Sequence, residues 1–494
     1  MNRIITFVIA LFVSAPALAA ERPNILFLAV DDLRPEIGAY GASHMKTPNI
    51  DAIAARGMIF QQAYCQQAVC SPSRTSLMTG LRPDSTKVYD LETHFRKTIP
   101  DVVTLPQHLQ KHGYYAMGMG KIYHGGLDDK LSWSEPHRDA REGNPKMSTY
   151  ALPESNAIIR KKAAEAKAKG LTGKNLSRAS RGPAVENADV PDNAYHDGAV
   201  ADLAITSLRE LKKKDQPFFL AVGFIRPHLP FVAPKKYWDL YDRDAIKVPA
   251  NKTWPEGSPD FAGSGWGELR QYEPIPKSGL ISDEQAKELI HGYYAATSYM
   301  DAQVGRVLAE LDRLGLRENT IVILWGDHGW KLGEHGAWCK HTNYELDARV
   351  PLIISVPGMK NAGGSTSALV EFVDIYPSLC ELAGVPLPKH LEGTSFKPVL
   401  ENPKLAWKTS AWSQYPRGSG GKQLMGYAMK TDRYRYVRWV NRKDASDVVA
   451  IELYDHEKDP AESVNVANDA KYSQVMQELG AQFEKGWRGA VPSR

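Results

Sequence analysis

The sequence predicts an α/β fold: a large mixed, mostly parallel sheet flanked by helices, with a smaller C-terminal α+β domain behind it. Three observations predict it. Asn24–Val30 (NILFLAV), Phe218–Val222, Ile321–Trp325 and Leu352–Val356 are continuous apolar runs, the pattern of strands buried on both faces. Helical patterns lie between them, as a wound sheet requires. The chain has 494 residues, whereas a single core stops growing at about 250–300.

The elements follow in chain order. Residues 1–20 carry Arg3, an apolar run from Ile4 to Val13 and a small-residue site at Ala17-Leu18-Ala19, the pattern of a cleaved secretory signal. The protein is therefore expected to be exported, periplasmic or secreted. Thr47-Pro48 opens a helix with Ile50, Ile53 and Ala54 on one face. A weaker strand candidate covers Tyr115–Met119. Residues 154–190 are basic and alanine-rich, with Lys174, Arg178 and Arg181 among their charges; they read as solvated surface that could also draw in an anionic polymer. A long helix is expected from about Tyr294 to Leu314, stopped by Gly315. Beyond residue 402 the texture changes, and Tyr427–Lys430 and Tyr434–Trp439 flank a Thr431-Asp432 turn as a hairpin. The expected division is a signal at 1–20, a catalytic domain at 21–402 and a C-terminal subdomain with a small antiparallel sheet at 403–494.

Composition excludes several classes. With 61 Lys+Arg against 57 Asp+Glu the formal charge is +4, too small for a whole-molecule field that would hold nucleic acid. No run beyond the signal approaches the roughly 18 apolar residues of a membrane span. Four cysteines in so long a chain are no disulfide scaffold. Cys65, Cys339 and Cys380 read as small buried hydrophobes.

Polar clusters stand where apolar runs end: Asp31-Asp32, Lys121 with His124, Arg226-Pro227-His228 and Asp327-His328. Ligands bind at the carboxyl ends of strands in open α/β sheets, so four clusters at such ends point to one site. The sharpest local signal is Cys70-Ser71-Pro72-Ser73-Arg74. Pro72 suits a first helical turn, which puts Cys70 at a helix N-terminus that favours an anion, and Arg74 can fork an oxyanion. From the residues alone this is an activated cysteine nucleophile or half of a disulfide with Cys65.

Cys-X-Pro-X-Arg followed by TSLMTG resembles the signature of type I sulfatases. RPNILFLAVDDLRPEIGAYG, TPNIDAIAARGMIF, GKIYH, RPHLPF, WGDHGWKLGEHG, WCKHTNYE and RVPLI are similar to sulfatase blocks in the same order. GKIYH, the Asp327-His328 pair, SQYPR and ELYDHEKDPAESVNVA look most like the iduronate-2-sulfatase branch.

The resemblance implies the alkaline-phosphatase-like sulfatase fold. It also implies a Cys70 oxidised to formylglycine (3-oxoalanine) by a maturation enzyme. Asp31, Asp32 and Asp327, with the modified Cys70, match the ligands of calcium, or else magnesium, as suits oxygen donors. His328 stands where many sulfatases have Asn, and imidazole is a softer ligand than calcium prefers. Arg74, Lys121, His124, His228 and Lys340 match the basic ring around the sulfate, while His335 and His341 are expected to be structural.

In this chemistry one hydroxyl of the hydrated aldehyde attacks sulfur, and His228 or His124 protonates the leaving sugar oxygen. The second hydroxyl then loses its proton and expels sulfate. The implied substrate is a sulfated oligo- or polysaccharide, with sulfate on O2 of a uronic acid and Arg417 as a candidate partner for the sugar carboxylate. The alternatives are another glycan such as a carrageenan-type galactan, a phosphodiesterase or phosphonate monoester hydrolase of the same superfamily, and a non-catalytic polyanion-binding relative.

Overall fold

The computed structural model describes residues 22–492; the expected signal at 1–20 lies outside the described residues. The central sheet has seven strands: β1 (Asn24–Val30), β2 (Met58–Phe60), β3 (Tyr115–Gly120), β4 (Phe218–Phe224), β5 (Thr320–Gly326), β6 (Leu352–Ser355) and β7 (Gly364–Thr366). Their spatial order is β7-β2-β6-β5-β1-β4-β3. Pairings among β3, β4, β1 and β5 are parallel, as is that of β7 with β2; β6 runs antiparallel to both neighbours. An apolar run like that of β6 cannot by itself reveal direction, because a buried strand is apolar on both faces in either sense.

The helices that cover the sheet are α1 (Pro48–Ala55), α2 (Cys70–Thr79), α3 (Leu105–Lys111), α6 (His196–Leu211), α7 (Asp283–Arg313) and α8 (Ile375–Leu382), while α4 (Pro153–Ala168) and α5 (Gly173–Ala179) contribute nothing to its two cores. Alternate residues of β1 enter opposite cores. Ile25, Phe27 and Ala29 pack with Leu77, Leu105, Leu109 and Leu379 from α2, α3 and α8. Leu26, Leu28 and Val30 pack with Ile50 and Ile53 of α1, Leu203 and Leu208 of α6, and Val304 and Leu311 of α7. Helices on both faces explain why the strand is apolar without alternation.

The helix expected from Tyr294 starts earlier, at Asp283, where the Ser282 side chain accepts from the Gln285 N–H. Its first turns carry Asp283 and Glu284, which suit a helix N-terminus but blur the apolar period.

Residues 403–494 hold a second sheet, an antiparallel meander of β8 (Ala411–Ser419), β9 (Lys422–Lys430), β10 (Tyr434–Asn441) and β11 (Asp444–Asp455), with α9 (Ser473–Glu484) against it. It is tied to the main sheet's loops. Ser413 donates to the Cys65 carbonyl, the Gln414 N–H donates to the Gln66 carbonyl, and Asn343 donates to the Gly426 carbonyl. The segments flanking Cys70 and Lys340 are thus both held from the C-terminal side.

Candidate active site

The register of the parallel strands decides where the polar clusters fall. Val30 is level with Phe224 on one side and Gly326 on the other. Two backbone bonds extend the ladder by one residue, from Asp31 N–H to Phe224 O and from Asp327 N–H to Val30 O. Asp31 and Asp327, 296 positions apart in sequence, therefore leave the sheet at the same level. Lys121 is set by the β3–β4 edge: its N–H donates to Gly223 O, and a Cβ on Gly223 would stand 2.3 Å from the Lys121 backbone. That close approach requires glycine.

Helix α2 delivers Cys70 as its first residue, and every residue of the helix is buried. The Cys70 sulfur lies 3.3 Å from His328 Nε2, 3.5 Å from Asp31 Oδ1 and 3.6 Å from Lys121 Nζ. One ligand atom from each of Asp31, Asp32, Cys70 and His328 fits within 4.8 Å of the others. Asp327 completes the group, since its Oδ1 accepts from the Asp32 N–H and lies 3.5 Å from His328 Nε2. His328 Nδ1 is 3.1 Å from the Gly329 carbonyl, so the proton sits there and Nε2 turns its lone pair inward.

The charges around this group are unequal. Burial alone would raise Asp31, but Lys121, His228 and Arg74 outweigh it and hold its carboxyl well below the usual range. Burial raises Asp32 against the pull of Lys340. Burial and the Asp31 carboxylate push the Cys70 thiol well above its ordinary value, which opposes the reading of an activated thiolate. All four cysteines are buried and free, so Cys70 is not paired with Cys65.

In front of the carboxylates opens a cavity of about 1040 Å³ lined by Asp31, Cys70, Lys121, His124, His228 and Lys340 among others. Lys340 Nζ contacts Asp32 at 2.9 Å. Burial lowers His124 to about 4, with Lys121 adding to the effect, so its imidazole is neutral at pH 7. Burial also pulls on His228, but Asp32, Asp31 and Glu268 prevail and raise it. Its Nδ1 faces the Leu229 carbonyl at 2.7 Å and its Nε2 faces Glu268 at 2.9 Å, so both ring nitrogens meet acceptors. His341 lines the same cavity, with burial and Lys340 lowering it to about 3; His335 instead holds the Ala461 carbonyl.

Two expected residues are placed differently. Arg74 is fully buried and does not line the cavity; its guanidinium donates to Asp327, Asp31 and the carbonyls of Lys121 and Ile122. The fork is spent on the carboxylates, not left open for an oxyanion. Arg417 donates to the carbonyls of Phe261, Ala262, Pro416 and His341, which ties β8 to the Lys340 loop and removes it from the sugar site.

Glu268 was not legible as a site residue. It bridges His228 and Lys340 at 2.9 and 3.0 Å, from an irregular segment with no strand before it to flag its position.

The loop after Asp32 is held by Arg34, which pairs with Glu36 and Glu334. Burial would raise Glu36, yet Arg34, His44 and Tyr294 lower it to about 2. A depressed carboxyl binds its proton later in the folded chain than in the unfolded one. Its stabilisation is therefore complete above about pH 4.5 and is lost as the pH falls towards 2. Glu36→Gln is expected to remove about one proton from the pH dependence of unfolding in that window, measured by denaturation at stepped pH. An unchanged slope would show that the pair contributes nothing there.

The fold and the buried carboxylate–cysteine site define a hydrolase of the sulfatase class. A match to the sulfatase family spans residues 23–385, and one to the C-terminal part of N-sulphoglucosamine sulphohydrolase spans residues 333–488. The chain belongs to the sulfatase family, near its iduronate-2-sulfatase branch, and is a sulfuric ester hydrolase. It is 34% identical to mouse (Mus musculus) iduronate 2-sulfatase over 93% of this chain and 94% of that one. It is 31% identical to a sulfatase of Formosa agariphila over 94% and 87%. Among solved structures, a complex with D-glucosamine-2-N,6-O-disulfate superposes with TM-score 0.73 at 23% identity, covering 95% of this chain and 98% of that one; this likeness speaks to the fold. No helix among the described residues is long and apolar enough to cross a membrane.

Proposed function

We propose that this protein is an exported glycan sulfatase that removes sulfate from O2 of uronic acid residues, with Cys70 carried as formylglycine. One observation carries the reading. The Cys70 side chain sits where buried carboxylates, His328 and the cationic wall of a wide cavity converge. Relatives named for iduronate 2-sulfate support the sugar.

A hard divalent cation, calcium or magnesium, suits the donor set. Asp31, Asp32 and Asp327 offer oxygens, and His328 offers a lone pair fixed by its Gly329 contact. The cation supplies positive charge for the sulfuryl oxygens, and formylglycine supplies, as its hydrate, one hydroxyl for attack and another for release of sulfate. The rest falls to the chain's own groups. Lys121 and Lys340 bring charge to the cavity wall beside Cys70. His228 holds its Nε2 proton against the Glu268 carboxylate at the cavity wall, from where it would pass to a leaving sugar oxygen. His124, kept neutral, lines the same wall with its Nδ1 buried and without a partner.

Removing the cation leaves buried carboxylates to repel one another. Exhaustive chelation is expected to abolish turnover and lower the melting temperature, with recovery on adding calcium or magnesium. A ligand present at a hundredfold its Kd stabilises by about 2.7 kcal/mol. Full activity without a cation would exclude the metal role.

The substrate reading is tested by a panel: a 2-O-sulfated iduronate disaccharide, a carrageenan oligosaccharide, an aryl sulfate and an aryl phosphate diester. The iduronate sugar is expected to give the highest kcat/KM. Preference for the carrageenan would move the enzyme to a galactan, and preference for the diester would make it a phosphodiesterase or phosphonate monoester hydrolase. No turnover by protein whose Cys70 is shown by mass to be oxidised would leave a polyanion-binding protein.

A further inference from the structure

Arg226 has no charge partner among the described residues. It is 4% exposed, lines the cavity, and spends one N–H on the His228 carbonyl; among the described residues it makes no ion pair. The other deeply buried arginines near the site are served differently. Arg74 meets Asp31 and Asp327, Arg82 meets Glu371, and Arg435 meets Glu345 and Glu462. A buried guanidinium without a carboxylate is costly unless something else supplies the negative charge. Here the open side is the cavity.

Arg181 stands on the same wall. It lines the cavity, donates to the Tyr272 hydroxyl at 3.0 Å and stacks on that ring, while its Nε is buried without a partner. Arg226 and Arg181 thus face the same cavity, Arg226 two residues before His228 and Arg181 on the Tyr272 ring. Lys174 and Arg178 of α5 continue the cationic lining outward.

We infer that Arg226 and Arg181 form a second anion subsite, separate from the sulfate ring, that takes another oxyanion of the same substrate. On the proposed function, upon which this rests, that oxyanion is the uronate carboxylate. A planar carboxylate matches the guanidinium fork, and Arg226 is two residues from His228, so the sugar is held beside the group that protonates its leaving oxygen. A sulfate on the neighbouring sugar has the same chemistry and is the other source to distinguish.

The test compares wild type, Arg226→Ala, Arg226→Lys and Arg181→Ala on four substrates. These are a 2-O-sulfated iduronate disaccharide, its carboxyl-reduced form, the same disaccharide with a further sulfate on the neighbouring sugar, and 4-methylumbelliferyl sulfate. For Arg226→Ala, kcat/KM on the carboxylate-bearing sugar is expected to fall about 30-fold or more, mostly through KM. The carboxyl-reduced sugar and the aryl sulfate should change by less than about threefold, and Arg226→Lys should recover part of the loss.

A loss that tracks the neighbouring sulfate instead keeps the subsite and reassigns its anion. Equal losses on all four substrates would overturn the inference and leave Arg226 as a prop for the His228 loop. Failure of the uronate reading appears separately, in the preferences of the wild type. Failure of the subsite appears in the ratios between variant and wild type.

Discussion

Cys70→Ala is expected to reduce sulfate ester turnover by about 10⁵-fold or more, the scale on which loss of a covalent nucleophile is felt. The rest of the site should stay in place. Cys70 occupies the first position of a helix whose other nine residues are buried on their own account, and the substitution deletes one heavy atom, the sulfur of the thiol or the oxygen of formylglycine. Thermal unfolding should therefore shift little while activity disappears. Cys65→Ala provides the contrast: that thiol is a core residue whose hydrogen bond goes to the Asp347 carbonyl, at 3.9 Å, and its loss should spare turnover. Intact-mass analysis of the Cys70 peptide completes the experiment. Active enzyme bearing an unmodified thiol would refute the formylglycine mechanism.

Arg74→Lys is expected to be damaging on a smaller scale, for a reason the structure changes. The guanidinium satisfies two carboxylates and two carbonyls at once inside a fully buried pocket. One ammonium cannot reproduce that planar set. Asp31 and Asp327 would then be left with too little compensating charge, and kcat/KM should fall by about 10²–10³. Arg74→Ala should also cost about 3–5 kcal/mol of stability, the usual penalty for stranding buried charges. If Arg74 served only as an oxyanion contact, the lysine variant would keep its stability and lose substrate affinity alone. Denaturant titration separates the two accounts.

Much of the fold was legible because a buried parallel sheet writes a distinct pattern. NILFLAV is apolar at every position, and each face of β1 meets its own set of helices. The carboxylates were legible for a related reason: Asp31, Asp32 and Asp327 each follow such a run. Residues that act from irregular chain left no comparable trace. Glu268 follows no strand, and its partners His228 and Lys340 are 40 and 72 positions away. Arg74 and Arg417 were legible as residues of note but not in their contacts, because sequence shows that an arginine is present and not whether carbonyls already fill its fork. Arg226 was legible as part of a strand-end cluster, but its burial without an ion pair among the described residues became visible only in the structure.

The shared level of Asp31 and Asp327 has a consequence in time. The pocket around Cys70 cannot close until β5 has been synthesised, because Asp327, His328 and the acceptor for Ser73 all follow that strand. Translation runs at about 5–20 residues per second, so Asp327, 257 positions after Cys70, takes roughly 13–50 s to appear. Throughout that interval the CSPSR segment lacks its final partners and, on the proposed formylglycine reading, would be open to the enzyme that oxidises Cys70. In the finished protein Cys70 is 2% exposed. On that reading the stretch of chain between Cys70 and β5, which includes β3 and β4, acts as a delay line, and a variant that docked β5 early would be expected to fold well and mature poorly.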